Sequence, residues 1–379
     1  MGPHANGRIP VYGPLIADAD VAAVVATLTG GWLGMGSDVD AFEQAVLDAI
    51  GAPDRRAVAL NTGGAALHVA LLVAGVGRGD EVIVPSLCHL SNVQAVLATG
   101  ADPVFCDVND ETLTIDTRQA AALAGPRTKA AIALDYGPYL CDYDALDELC
   151  IDKDLRLVHD AAHAFGSMVG GRAVGAFSDL CVFSFDPVKS FTAVDAGVLI
   201  VRTEAEARAA REVRLLGSDQ PPEVMYTNAR TWDYDAVRAG FRYHLSNVHA
   251  ALGVSQLRNL DAVRITRQQA CARYADNLKG IDPVWAPQGD FAGLCPFMYI
   301  IRVPGSRRSA LRAALSDAGI DTGMHWRPAH HHTYFQQFRR GPLEVTELAA
   351  DELVTLPLHS NMSDALVDRV SDEVVRFFR

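Results

Sequence analysis

The chain predicts an α/β fold, with a mostly parallel sheet covered by helices on both faces and a smaller α+β unit after it. Between about residues 56 and 203, short and almost continuously apolar runs alternate with helical patterns, as strands buried on both faces of a parallel sheet do. After residue 262 the pattern changes to a helix, a strand region and two further helices. With 379 residues, 49% hydrophobic and 21% charged, the chain can fill one large or two unequal cores. We place the boundary so that 1–260 form a large domain with an N-terminal arm and a linking helix, and 261–379 a small one.

The elements follow in order. Asp18 to Leu28 reads as an amphipathic segment, and Gly30-Gly31-Trp32-Leu33-Gly34 as a turn. Ala57–Leu60 is strand-like, and Ala65 to Val73 is rich in helix formers. Strands follow at 81–85, 103–107 and 130–134, with helices at 91–98 and 142–150. Further strands are expected near 156–159, 180–185 and 197–202. A long helix near 246–260 would lead to a helix near 264–278, strands near 297–303 and helices near 308–318 and 363–377. The opening Met1-Gly2-Pro3-His4 has no periodicity and reads as a flexible end.

Net charge is −13, which argues against a nucleic-acid surface, where lysine and arginine excess is needed. No apolar stretch reaches the ~18 residues of a membrane span, and no signal peptide is visible. The seven cysteines form no C-x-x-C pair and fall mostly in apolar runs, the pattern of reduced thiols in a cytoplasmic protein.

In such sheets ligands bind beyond the carboxyl ends of the strands. Lys189 lies there, after the apolar run Leu180–Phe185 and the break Asp186-Pro187. A lysine desolvated at a strand tip becomes a usable nucleophile. Asp160 closes the run Leu157-Val158-His159. Either residue alone reads equally as a local cap. Together they are the Schiff-base amine and the pyridinium partner that pyridoxal 5'-phosphate (PLP) needs from its protein. Asn61-Thr62-Gly63-Gly64-Ala65 joins a strand to a helix, where backbone amides can hold a phosphate or simply turn the chain, and Ser184 can add a hydroxyl. His89 reads either as a flat wall for the ring or as a helix-start residue. His163 lies three residues after Asp160, within reach of the ring's phenolic oxygen. We reject a metal reading of His330-His331-His332, because adjacent histidines rarely converge on one ion in a regular element; one or two of them would face the substrate instead.

These residues, with others in order along nearly the whole chain, resemble the DegT/DnrJ/StrS sugar aminotransferases, PLP enzymes of the aspartate aminotransferase fold (fold type I). The landmarks are Gly31-Trp32-Leu33, Gly79–Ser86, Gly100–Val108, Asp160-Ala161-Ala162-His163, Phe183-Ser184-Phe185 with Lys189, Gly240–Asn247 and Leu356-Pro357-Leu358-His359. The resemblance implies that Lys189 forms the aldimine and Asp160 pairs with the ring nitrogen. It sets Gly63, Gly64 and Ser184 at phosphate positions, with Thr62 in place of a missing hydroxyl. His89 takes the place of a ring-stacking aromatic and His163 that of a ring-contacting glutamine or histidine. Arg242 stands in a segment that usually reaches a neighbouring subunit's phosphate. His325, Trp326, Arg327 and His330 fall near the expected sugar. The implied activity is amino transfer from L-glutamate to a ketone on a nucleotide-linked deoxysugar, by a homodimer with shared sites. The alternatives are a cyclitol or related ketone, and a non-catalytic PLP-binding regulator. A related dehydratase branch replaces the lysine with histidine, which Lys189 argues against.

Overall fold

A computed structural model describes residues 7–379, so the opening segment read as a flexible end lies outside the described residues. The strands are β1 (Arg56–Leu60), β2 (Glu81–Pro85), β3 (Asp102–Cys106), β4 (Thr128–Leu134), β5 (Arg156–Asp160), the short hairpin β6 (Met168–Val169) and β7 (Arg172–Ala173), then β8 (Leu180–Ser184) and β9 (Gly197–Val201). Among the described residues, seven of these form one sheet in the order β1-β9-β8-β5-β4-β2-β3. Only β9 runs against the rest: it pairs antiparallel with both β1 and β8, while the β8-β5-β4-β2-β3 contacts are all parallel. The carboxyl ends Leu60, Pro85, Leu134, Asp160 and Ser184 therefore gather along one edge.

Apolar runs without alternation are explained by burial on both faces. Val58 and Leu60 of β1 and Val182 of β8 join one core cluster, with the helices Gly63–Val73, Leu90–Thr99 and Glu204–Arg214. Their neighbours Ala57, Ala59, Cys181 and Phe183 join another, with Phe42 and Val46 of the helix Ser37–Ile50 and Ala250 of the helix Asn247–Leu257. Alternate residues point to opposite faces, so both faces must be apolar.

A separate apolar cluster gathers the C-terminal elements: the helices Leu260–Leu278, Gly305–Asp317 and Asp364–Phe378 around β10 (Tyr299–Arg302) and β11 (Leu353–Leu356), an antiparallel pair. Ile9 of the N-terminal arm inserts here, 1% exposed, and bridges to Ile320.

Three expectations are corrected. The long helix near 246–260 breaks at Arg258–Asn259, and a second helix starts at Leu260 rather than near 264. The strand near 297–303 is confined to 299–302, because Phe297 leaves the sheet for the cavity described below. The segment from Asp18 is helical to Gly30, but its apolar face points outward. Val21, Val25 and Leu28 are about half exposed while Asp20 is 1% exposed. Asp20 tolerates burial because its Oδ2 accepts from the Ala17 amide at 2.8 Å and from Gln256 Nε2 at 2.7 Å. Among the described residues no helix is long and apolar enough to cross a membrane.

One buried polar knot joins these layers. Arg214, 1% exposed, donates to Glu43 Oε1 at 2.6 Å, to the Ala59 carbonyl at 2.8 Å and to Tyr226 Oη at 2.8 Å. Glu43 also accepts from the Ala59 amide at 2.7 Å and from Tyr226 Oη at 2.5 Å. Removing one partner of a buried pair strands the other charge. Glu43→Ala should therefore cost about 3–5 kcal/mol, read as a fall in the urea midpoint of the cofactor-free protein. An unchanged midpoint would show that Arg214 finds another partner.

Candidate active site

The gathered strand ends open into a cavity of about 410 Å³. Each side chain reaches it for a local reason. Asp160 is the last residue of β5, 3% exposed, paired in register with Leu134 of β4 and Val182 of β8. Its Oδ1 accepts the Ala162 amide at 3.1 Å. Burial raises its pKa above the usual carboxylate value, and the Ala162 amide, Lys189, Asn92 and His159 oppose that rise. Its chain neighbour His159 points to the other face, where its Nε2 meets Asp135 Oδ2 at 2.7 Å and its Nδ1 meets Ser178 Oγ at 2.8 Å. Burial works against charge on that imidazole, but Asp135 outweighs it and holds the pKa well above the ordinary histidine value.

Lys189 follows β8 on a turn closed by the Asp186 carboxylate, which accepts the Val188 amide at 3.0 Å, and by the Asp186 carbonyl, which accepts the Lys189 amide at 3.0 Å. The ammonium nitrogen sits 4.2 Å from the centroid of Phe297. Burial brings its pKa down to about 8, against the opposing pull of Asp160 and Asp186. Among the described residues lining the cavity it is the only lysine or arginine.

The glycine turn is built tightly. Thr62 caps the helix Gly63–Val73, its Oγ1 accepting the Ala65 amide at 3.0 Å and its carbonyl the Ala66 amide at 3.1 Å. Gly63 and Gly64 open this helix and line the cavity, and the first amides of a helix lack partners within it, the arrangement that suits an anion. A Cβ on Gly63 would lie 3.0 Å from Ser184 Cβ, and one on Gly197 only 2.3 Å from the Thr62 carbonyl oxygen. So only glycine at 197 lets β9 pass under this turn. Thr62 and Ser184 both line the cavity.

The opposite wall is aromatic. Tyr12 stacks on Phe297 (centroids 4.7 Å, 7° apart), Phe297 on His163 (4.6 Å, 23°) and His163 on Trp326 (5.3 Å, 26°). Trp326 meets His89 edge-on at 5.9 Å. The buried Arg267 fixes this ladder, with Nη1 donating to the carbonyls of Pro296 at 3.0 Å and Phe297 at 3.1 Å. His325 is held by Thr355 Oγ1 at 2.8 Å from Nδ1 and lies 3.3 Å from Tyr12 Oη through Nε2. Burial, then the charge of Lys189, lowers the pKa of His163 and His89, and lowers that of His325 to about 4. The three imidazoles are neutral near pH 7. His163 Nδ1 is buried without a protein partner and stands ready for a polar group on a ligand.

Thr62, Gly63, Gly64, His89, Asp160, His163, Ser184, Lys189, His325 and Trp326 thus converge on one cavity. The other expected residues lie outside its lining. Arg242 is exposed, in a segment whose backbone bridges to Leu215. Arg327 is exposed and donates to the His331 carbonyl at 2.7 Å. His330 is 5% exposed, with Nδ1 2.7 Å from Ser86 Oγ and Nε2 2.8 Å from Glu347 Oε1. His331 Nε2 reaches Glu347 Oε2 at 2.9 Å, so both imidazoles meet one carboxylate. Tyr12, Ser91, Asp195 and Phe297 line the cavity and were not singled out from sequence. Tyr12 and Phe297 carry no local signal, since only the docking of the arm and the C-terminal unit brings them in.

This donor set fits PLP. A buried carboxylate, a lysine amine, two glycines at a helix start and an imidazole with an unpartnered nitrogen line the same cavity.

The family profile of the DegT/DnrJ/EryC1/StrS aminotransferases matches residues 14–375. The spore coat polysaccharide biosynthesis protein SpsC of Bacillus subtilis (strain 168) is 32% identical over 378 residues, 97% of this chain and 97% of that protein. Among solved structures, the aminotransferase TlmJ from Streptoalloteichus hindustanus is similar at 34% identity and a TM-score of 0.89, over 97% of this chain and 98% of that one. The PLP form of the putative sugar aminotransferase Spr1654 from Streptococcus pneumoniae is similar at 27% identity and a TM-score of 0.88, over 97% and 98%. The chain therefore belongs to the DegT/DnrJ/EryC1/StrS aminotransferases, PLP-dependent enzymes of fold type I.

Proposed function

We propose that this enzyme moves an amino group from L-glutamate to a ketone on a nucleotide-linked deoxysugar. The observation that carries the reading is a lysine amine, poised near neutrality, across one cavity from a buried carboxylate. When bound, PLP supplies a carbonyl that exchanges amino groups and a ring that draws electrons from the donor's Cα–H bond.

The chain's own residues then divide the work. Lys189 Nζ would hold PLP and would serve as the base that moves the donor's Cα proton. A pKa of about 8 leaves a usable neutral fraction of that amine near pH 7.5. Asp160 would keep the ring nitrogen protonated, and that countercharge would relieve the cost of burying its carboxylate. The Gly63 and Gly64 amides would hold the phosphate, with the hydroxyls of Thr62 and Ser184. His89 would cover a ring face, and His163 Nδ1, which has no protein partner, would meet the ring's oxygen. His325, Trp326 and Tyr12 face the sugar. Among the described residues no arginine lines the cavity, so we assign the substrate's diphosphate to the exposed Arg327, next in the chain to the lining Trp326, and to Arg242 presented across a two-fold interface, with two copies sharing their sites. The relatives named for polysaccharide and sugar chemistry support a sugar substrate. The aromatic wall keeps a free cyclitol ketone as the second reading.

Purified protein mixed with PLP should gain a visible absorbance band that shifts on adding glutamate. Lys189→Ala should lose the shift and cut turnover by more than the ~10²–10⁴-fold of acid–base help alone. Glutamate with a panel of keto-sugar nucleotides beside a free cyclitol ketone, read as 2-oxoglutarate release, separates the two substrate readings. Turnover of the cyclitol alone would overturn the first.

Competitive acetylation of the cofactor-free protein, read lysine by lysine by mass spectrometry, should show Lys189 reacting through a midpoint near pH 8, below the ~10.4 of an ordinary lysine. Asp160→Asn removes a charge that favours the ammonium, so the midpoint should move lower. A midpoint at the ordinary value would contradict the desolvation argument.

A further inference from the structure

The geometry points to a second site: we propose that His330, His331 and Glu347 bind a divalent transition-metal ion of the zinc type, outside the catalytic cavity. The ligand atoms of these three residues all lie within 4.8 Å of one another. The arrangement is held from behind. Ser86 accepts the Ala329 amide through its carbonyl at 2.7 Å, and its Oγ engages His330 twice, at the backbone amide (3.3 Å) and at Nδ1 (2.7 Å). With Nδ1 tied, only Nε2 of this buried imidazole faces outward. A partner on the far ring nitrogen is the usual way a ligating histidine is oriented. His331 Nε2 joins it from the next residue, because the short 3₁₀ turn Ala329–His331 sets the two rings 4.4 Å apart, 62° from parallel. The carboxylate comes from the helix Glu344–Glu352.

The present contacts, 2.8 Å and 2.9 Å from the two Nε2 atoms to Glu347, are hydrogen bonds. Zinc bonds of about 2.0–2.1 Å in tetrahedral geometry need ligand atoms about 3.3 Å apart. Glu347 must therefore retreat by roughly half an ångström. Its side chain is 50% exposed and that of His331 is 38% exposed, so both have room. The ion would displace the protons these contacts share, and water would complete its shell. Two imidazoles with one carboxylate favour zinc-like ions over calcium or magnesium, which take all-oxygen shells. The bound ion would tie the turn that follows His325 and Trp326 to the helix beyond it, stiffening one wall of the cavity.

The test uses PLP-loaded protein with any affinity tag removed, stripped by a chelator and titrated with zinc chloride by calorimetry. The cofactor keeps the cavity's own histidines out of competition. One ion per chain is expected. His331→Ala and Glu347→Ala should each weaken binding by at least about tenfold. Both positions are partly exposed, and an unchanged visible band will show that the variants are folded. Zinc that binds the wild type no tighter than the double variant would overturn the site and leave the three residues as an ion pair only.

Discussion

The parallel pairing of β5 with β8 holds the chemistry together. It sets Asp160 opposite Val182 and brings the turn after Ser184 alongside the end of β5. Sheet hydrogen bonds cannot slip by one residue without turning every buried side chain to the wrong face. The carboxylate and the lysine are therefore placed by the core of the sheet, while their own contacts with each other are electrostatic. β9 closes the arrangement from the other side, since Gly197 runs beneath the Thr62 carbonyl with no room for a side chain.

Electrostatic economy is the second feature. Among the described residues Lys189 is the one lysine or arginine lining the cavity, set among neutral imidazoles and stacked rings, and burial lowers its pKa. The charges that do form tight pairs lie behind the walls. Asp135 and His159 sit on the far face of β5, and Arg214, Glu43 and Tyr226 lie beneath β1. Arg267, which donates a hydrogen bond to the Phe297 carbonyl, orients a cavity ring without adding charge to the cavity. Buried polar groups of this kind are costly alone and rigid when satisfied.

The cavity is assembled from distant parts. Tyr12 comes from the N-terminal arm, the glycine turn and the carboxylate from the large sheet, and Phe297, His325 and Trp326 from beyond residue 290. Ile9, buried in the C-terminal cluster, docks the arm that delivers Tyr12. The segment around Arg242 is pinned in its own chain, with the Asn61 amide donating to the Tyr243 carbonyl at 2.7 Å, so the exposed guanidinium is presented outward.

Local chemistry was legible from residues alone wherever one short segment carries it. The apolar runs announced the strands, the glycine pair announced the helix start, and Asp160 and Lys189 stood out at strand ends. A capping box, Thr203 with Glu206, marks the helix Glu204–Arg214 just as clearly and was passed over. The outward apolar face of the helix Asp18–Gly30 could not be read, because its orientation is set by Gln256 reaching a buried Asp20 across more than two hundred residues. The aromatic ladder and the convergence of His330 and His331 on Glu347 belong to tertiary structure for the same reason. Periodicity tells which side of an element is apolar, whereas the identity of what lies against it depends on contacts between residues far apart in the chain.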